Sequence, residues 1–291
     1  MKLVRFRSRQ KVGIGAVEEK TGMIVDLAVA AGEGGTERFP SSMSDFLKRG
    51  EVGLLDAART LSAALPEAKI ALESLEILAP VGDPGKIICV GQNYRDHCAE
   101  QNQPIPESAI IFSKFQTALN DPSGKIVLPK VSQQVDYEAE FAFVIGKKGK
   151  DIPEAEAMDY VAGYMCANDI SARDIQFADK QWVRGKTPDG FFPTGPFLVT
   201  KEEVNDPHNL DISLKLNGKA MQDSNTSNLI FNVPFLIAYL SQTMTLLPGD
   251  IVTTGTPGGV GVFRDPPIFL KSGDSLEVTI EGLGTLANTV A

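Results

Sequence analysis

Alternation of apolar and polar positions, more than a helical period, organises this chain. The segment DYEAEFAFVIG (136–146) is the most informative stretch. In an extended strand, side chains two apart share a face. Phe141, Phe143 and Ile145 therefore line one side, while Glu138 and Glu140 project together from the other, in a row that Ala142 and Val144 continue. Apolar or alternating runs bounded by turn residues predict further strands at KIICVG (86–91), AIIFSKF (109–115), KIVLP (125–129), YVAGYMCAND (160–169), DISLKLNG (211–218), DIVTTGT (250–256) and SLEVTIEG (275–282). Residues 1–30 read as short strands with turns, and AAGEGGTERFP reads as a loop by its glycines. SSMSDFLKRG predicts a short helix capped by Ser42, with Asp45 three residues on and Gly50 at its end, and a second helix follows over about 51–64. PEAEAMDY, opened by Pro153, and PFLIAYLSQT, with Pro234 in its first turn, predict two more. The last is apolar on nearly all sides and should be buried. Many strands with few helices predict an α+β, β-rich fold with a closed or rolled antiparallel or mixed sheet, not a doubly wound one. The Pro- and Gly-bearing stretch 74–87 predicts a linker. It divides a small N-terminal α+β domain, 1–75, from a larger domain, 76–291.

Charge and composition narrow the partners. The net charge of −9 argues against nucleic acid or an anionic membrane. It leaves room for an anionic small molecule, because a bound divalent cation reverses the local potential of an acidic site. No apolar run approaches the roughly 20 residues that span a bilayer. The start, MKLVRFRSRQ, alternates like a strand and lacks the apolar core of a signal peptide, so a cytosolic protein is the simplest expectation. Three scattered cysteines, Cys89, Cys98 and Cys166, fit neither a disulfide framework nor a thiolate zinc site. With only His97 and His208, a His-rich zinc or copper centre is excluded.

Five segments carry candidate chemistry. Glu138 and Glu140, side by side next to buried residues, would repel without a cation or protons, and a hard divalent ion is one solution; two solvated glutamates at a strand end are the other. Asp169, where an apolar strand ends in NDISARDIQ, is placed either as a third ligand or as the cap of the turn that follows. Asp174 reads as a salt-bridge partner for a nearby arginine. In CVGQNYRDHCAEQ, His97 and Glu100 are i and i+3, so the carboxylate can orient the imidazole and raise its basicity; an ordinary surface pair has the same spacing. The polar QNQPIPESA that follows suits a mobile lid. Lys186, in GKTPDGFFPTGP, could stabilise an enolate or bind a carboxylate, or be an ordinary loop lysine. TTGTPGGVG lacks a phosphate-loop signature and reads either as sterically required turn glycines or as a turn that offers N–H groups and the Thr256 hydroxyl to an anion.

Taken together and in order, NYRDHCAEQ, FSKF, DYEAEFAFVIGKKGKDI, NDISARDIQ, GKTPDGFFPTGP and TTGTPGGVGVF resemble the fumarylacetoacetate hydrolase superfamily over about 80–291, and SMSDFLKRG extends the likeness toward the N-terminus. The resemblance implies a mixed β-sandwich roll for the catalytic domain, a homodimer, and Mg2+, with Mn2+ or Ca2+ as alternatives. By position it implies Glu138, Glu140 and Asp169 as metal ligands, His97 and Glu100 as the catalytic dyad, and Lys186, Gln176 and Thr256 as contacts to substrate or intermediate. The implied substrates are small enolisable 2-oxo acids, and the first expectation is C–C hydrolysis of an acylpyruvate or β-diketo acid through an enolate that the cation stabilises. An oxaloacetate keto–enol tautomerase or decarboxylase on the same site is the alternative, and a non-catalytic metabolite-binding protein the third reading.

Overall fold

In the strand Ala139–Ile145 every residue is buried, which requires a covering layer on both faces of the sheet. A computed structural model describes residues 1–291 and supplies both. Phe141, Phe143 and Ile145 pack into a core shared with Val278, Leu236 and Ile237, while Ala142 and Val144 pack into a second core shared with Met43, Phe46 and Leu47. The alternation in the sequence thus points at two different neighbours: a second sheet and a buried helix on one side, the N-terminal helices on the other. Phe143 and Phe141 are fully buried, and burial of such a side chain stabilises by about 1.5–3 kcal/mol.

The main sheet has 12 strands. From one edge it runs through Met23–Asp26, Lys11–Glu18, Lys2–Ser8, Phe192–Thr200, Val161–Asn168, Ala139–Ile145, Ile251–Thr253 and Ile87–Gly91 to Ile110–Lys114. Most neighbours are antiparallel, but Ile251–Thr253 runs parallel to Ile87–Gly91, so the sheet is mixed. A second sheet of 5 strands includes Asp211–Leu216, Ser275–Ile280 and Gly284–Val290. The architecture is the α+β, sheet-dominated one expected. Of the two forms the sequence left open, closure does not occur: both sheets keep free edges. Lys2–Ser8 pairs with Glu76–Leu78 and with Phe192–Thr200, so sheet hydrogen bonding runs from the first strand of the chain into its C-terminal half.

Three strands of six or more residues lie outside the expected set: Phe192–Thr200, Lys219–Asn225 and Gly284–Val290. FPTGPFLVT reads as a turn because of Pro193, Gly195 and Pro196. It is nevertheless central, because its register with Val161–Asn168 shifts between Tyr164 and Cys166, opposite Gly195. Prolines are tolerated at such an irregularity, where the ladder is already interrupted. PEAEAMDY forms a 3-10 helix, Glu154–Tyr160, and not an α-helix. Ser42 caps Met43–Leu47 by accepting from the Asp45 backbone N–H at 3.0 Å, and Gly50 both ends that turn and opens the helix Gly50–Ser62. No helix is long and apolar enough to cross a membrane.

The helix Val233–Ser241 has no exposed residue, as its apolar composition predicts. Its N-terminus is held by Asn232, whose side chain accepts from the Phe235 N–H at 3.0 Å, and by His208, whose Nε2 accepts from the Val233 N–H at 3.2 Å. Only a neutral imidazole can accept there, and burial lowers the His208 pKa against the weaker opposing pull of Asp206. A folded-state pKa below the unfolded one gives stability that is present above the ordinary imidazole range and is lost as pH falls through the lowered value. The Tm advantage of wild type over His208→Gln is therefore expected to shrink between pH 8 and pH 5 in paired thermal melts. An advantage that stays constant with pH would remove His208 from this role.

Candidate active site

Strand register assembles the acidic cluster. Val161–Asn168 runs antiparallel to Ala139–Ile145 with Ala139 opposite Asn168 and Glu140 opposite Ala167. The residue after Asn168 therefore falls beside Glu138, and the Asp169 N–H donates to the Glu138 carbonyl at 2.9 Å. Oxygens of Glu138, Glu140 and Asp169 all lie within 4.8 Å of one another, and all three residues are buried. Carboxylates this close and this dry cannot all remain charged without compensation.

Three buried cations provide part of it. Lys186 Nζ donates to Glu138 Oε2 at 2.6 Å and to Asp169 Oδ2 at 2.9 Å. Lys114 Nζ donates to Asp169 Oδ1 and to the Ile170 carbonyl. Arg173 pairs with Glu138 Oε1 at 2.7 Å and with Asp136 Oδ2 at 2.9 Å. Burial pushes the Glu138 carboxyl up, but Lys186 and Arg173 outweigh it and hold it at about 2. Burial would likewise lower Lys186, yet Asp169 and Glu138 raise it above the usual lysine value. Glu140 is different. It makes no ion pair and accepts one N–H, from Gly255 at 3.1 Å. Burial, then repulsion from Asp169 and Glu138, drive it well above the usual carboxylate range.

Glu140 is thus the carboxylate without a cation. The cluster holds four carboxylates (Asp136, Glu138, Glu140, Asp169) and three cationic side chains (Lys114, Arg173, Lys186), so it is neutral with Glu140 protonated and one charge negative with Glu140 ionised. A divalent cation in place of that proton fits an all-oxygen donor set and leaves an excess positive charge suited to an anionic ligand.

His97 and Glu100 meet, as an i, i+3 spacing on a helix allows. His97 and Glu100 lie on the helix Arg95–Glu100, with Nδ1 2.6 Å from Glu100 Oε1. His97 is buried. Glu100 Oε2 accepts the Gly259 N–H at 2.7 Å. The glycine-rich turn does bind anions, but they are the protein's own: Gly255 donates to Glu140, Gly259 to Glu100, and Gly261 and Val262 to Asp136. Gly259 has φ of +102°, and a Cβ there would stand 2.2 Å from the Met221 carbonyl oxygen, so no other residue fits.

Of the remaining residues named from the sequence, Gln176, Thr256 and Lys186 are buried. Gln176 Oε1 accepts from Arg173 at 3.0 Å, leaving its amide hydrogens free to donate. Thr256 Oγ1 accepts from Gln222 Nε2 at 2.8 Å, leaving its own O–H to donate. Lys186 is a buried residue at the end of the short helix Val183–Lys186, not a loop lysine. Asp174 departs from expectation: it accepts from the Ser132 hydroxyl and the Gln133 N–H and pairs with no arginine, because Arg173 turns inward.

Sequence reasoning missed Lys114, Asp136, the inward course of Arg173, and Gln222, which donates to Thr256 and accepts from the Ala139 N–H. Asp136 was within reach, since it is two residues before Glu138 in an extended segment. Gln222 gave no signal, because its strand belongs to the second sheet.

The fumarylacetoacetate hydrolase C-terminal family model matches residues 86–291. The oxaloacetate tautomerase FAHD2A of Homo sapiens is 47% identical over 294 residues, which span 100% of this chain and 91% of the human protein. The solved fumarylacetoacetate hydrolase of Exiguobacterium antarcticum matches with TM-score 0.86 and 32% identity, over 100% of this chain and 99% of its own. Maleylpyruvate hydrolase of Sphingobium sp. SYK-6 matches with TM-score 0.82 and 31% identity, over 100% and 99%. The cytosolic expectation is overturned, because the human relative and its counterparts in Bos taurus and Rattus norvegicus are mitochondrial by name. From the model match and the full-length identity, the chain belongs to the fumarylacetoacetate hydrolase family.

Proposed function

We propose that the chain interconverts the keto and enol forms of oxaloacetate or a closely related 2-oxo diacid, with a divalent cation held by Glu138, Glu140 and Asp169. The motifs alone put C–C hydrolysis first. The full-length 47% identity to an oxaloacetate tautomerase supports the reverse order, and so does the setting of the base. His97 is 6% exposed and lies 6.1 Å from the Phe263 ring. Such a group is better placed to move a proton within a bound substrate than to activate bulk water.

Tautomerisation removes a proton from C3 and delivers one to the 2-oxo oxygen, so atoms balance without a co-reactant. Glu100 takes up Nδ1 of His97, which leaves Nε2 to carry the proton, and the carboxylate stabilises the imidazolium while it exists. The remaining Lys186 N–H, the Gln176 amide and the Thr256 hydroxyl are donors for the substrate carboxylates and the developing oxyanion. The bound cation would supply Lewis acidity at the same oxygen. The second reading, hydrolysis of an acylpyruvate, draws support from the likeness to maleylpyruvate hydrolase.

A substrate panel separates them. The ultraviolet decay of enol-oxaloacetate should accelerate in the presence of enzyme and Mg2+, with no matching release of CO2. Cleavage of acylpyruvates should be slower. Rapid acylpyruvate cleavage with oxaloacetate untouched would put hydrolysis back in front, CO2 release would point to decarboxylation, and turnover of nothing would favour a binding protein.

A further inference from the structure

We propose that Lys114 determines which cation the acidic cluster accepts, by keeping Asp169 a one-oxygen ligand. The inference rests on the proposed cation site and extends it to selectivity. Lys114 ends the strand Ile110–Lys114, at the edge of the main sheet beside Ile87–Gly91. Its side chain has 0% exposure. The ammonium donates to Asp169 Oδ1 and to the Ile170 carbonyl at 3.1 Å, and lies 5.7 Å from the centre of the Phe192 ring. A buried ammonium that left Asp169 would exchange a charged partner for a carbonyl and a ring face, and an unpaired charge in such a place is strongly disfavoured. Lys114 therefore stays on Oδ1, and the oxygen of Asp169 open to a cation is Oδ2, which Lys186 holds at 2.9 Å but, being shared with Glu138, can release.

Ligand count then discriminates between ions. Ca2+ takes about 6–8 oxygens at roughly 2.3–2.6 Å and readily uses both oxygens of one carboxylate, whereas Mg2+ requires near-octahedral geometry at about 2.0–2.1 Å from single oxygens and waters. A carboxylate with one oxygen committed to an ammonium suits the smaller ion. Glu138 is restricted further, with Arg173 on Oε1 and Lys186 on Oε2, so a cation reaches it only as Lys186 shifts. Lys186 and Arg173, however, also lie among the groups assigned to substrate or contact them. Lys114 touches none of these and acts only through Asp169, as a positioning residue.

Calorimetric titration of the metal-free full chain with Mg2+ and with Ca2+ tests this in wild type and in Lys114→Met. Loss of a positive charge alone raises the affinity for both ions by similar factors. Release of Asp169 Oδ1 should in addition lower the Kd for Ca2+ by at least about tenfold more than that for Mg2+. An unchanged Ca2+/Mg2+ ratio overturns the inference while leaving the cation site standing. Absence of any divalent binding to wild type overturns both. If Lys114→Met fails to fold by near-ultraviolet circular dichroism, a crystal structure of wild type with Ca2+ decides. Coordination through one Asp169 oxygen with Lys114 still on the other supports the assignment, and bidentate Asp169 refutes it.

Discussion

His97→Ala is expected to lower kcat for oxaloacetate enolisation by about 10²–10⁴-fold, the usual contribution of a positioned acid–base group. Affinity for the divalent cation should stay nearly unchanged, because His97 contacts Glu100 and none of the three clustered carboxylates by hydrogen bond. Glu100→Gln should show a smaller loss of the same kind. It keeps an acceptor for the Gly259 N–H but cannot stabilise an imidazolium by charge. Because the two residues act as one unit, the double variant should lose little more than the worse single one. Steady-state kinetics with parallel cation titrations read all of these. Wild-type kcat in His97→Ala would remove the dyad from the chemistry, and a parallel collapse of cation affinity would mean that the histidine is structural.

Lys186→Met should have the largest effect on stability. Lys186 Nζ lies between Glu138 and Asp169 and is 3% exposed. Removing one member of a buried ion pair leaves charge uncompensated and costs about 3–5 kcal/mol. Here the loss leaves two carboxylates, not one, short of a donor. In the metal-free protein, the denaturant midpoint should therefore fall sharply. A saturating divalent cation should restore part of it, because an ion that binds the folded cluster stabilises it by mass action. Activity should remain low even with the cation, since a donor to the substrate is gone. A variant as stable as wild type without cation would mean that the cluster is largely protonated in the folded state.

The fold was readable where periodicity and neighbours agree. The Ala139–Ile145 strand shows its two faces in the sequence because each contacts a different core. Phe192–Thr200 was not readable, since its prolines are acceptable only at a register shift that depends on its partner strand. The triad was legible for a similar reason. Glu138 and Glu140 are related by the strand period, and Asp169 by the end of a predicted strand. What compensates them was not legible. Lys114, Lys186 and Arg173 come from three separate segments, and nothing in the chemistry of an isolated lysine distinguishes a buried ion-pair partner from a surface one. The glycine-rich turn offers two readings in the sequence, sterically required glycines or N–H groups for an outside anion; Gly259 fits the first, and the N–H groups go to Glu140, Glu100 and Asp136. That difference is tertiary, and only the arrangement of carboxylates reveals it.

Proton transfer at C3 of a 2-oxo diacid, supported by a cation on the acidic cluster, is the central step of the proposed reaction. Deuterium incorporation at C3 of oxaloacetate, followed by proton NMR in D2O against enzyme-free controls at the same Mg2+ concentration, measures that step directly. Wild type with Mg2+ should accelerate exchange, excess EDTA should return it to the control rate, and renewed Mg2+ should restore it. Exchange that persists undiminished in EDTA, or that the Mg2+-loaded enzyme never accelerates, would contradict the account.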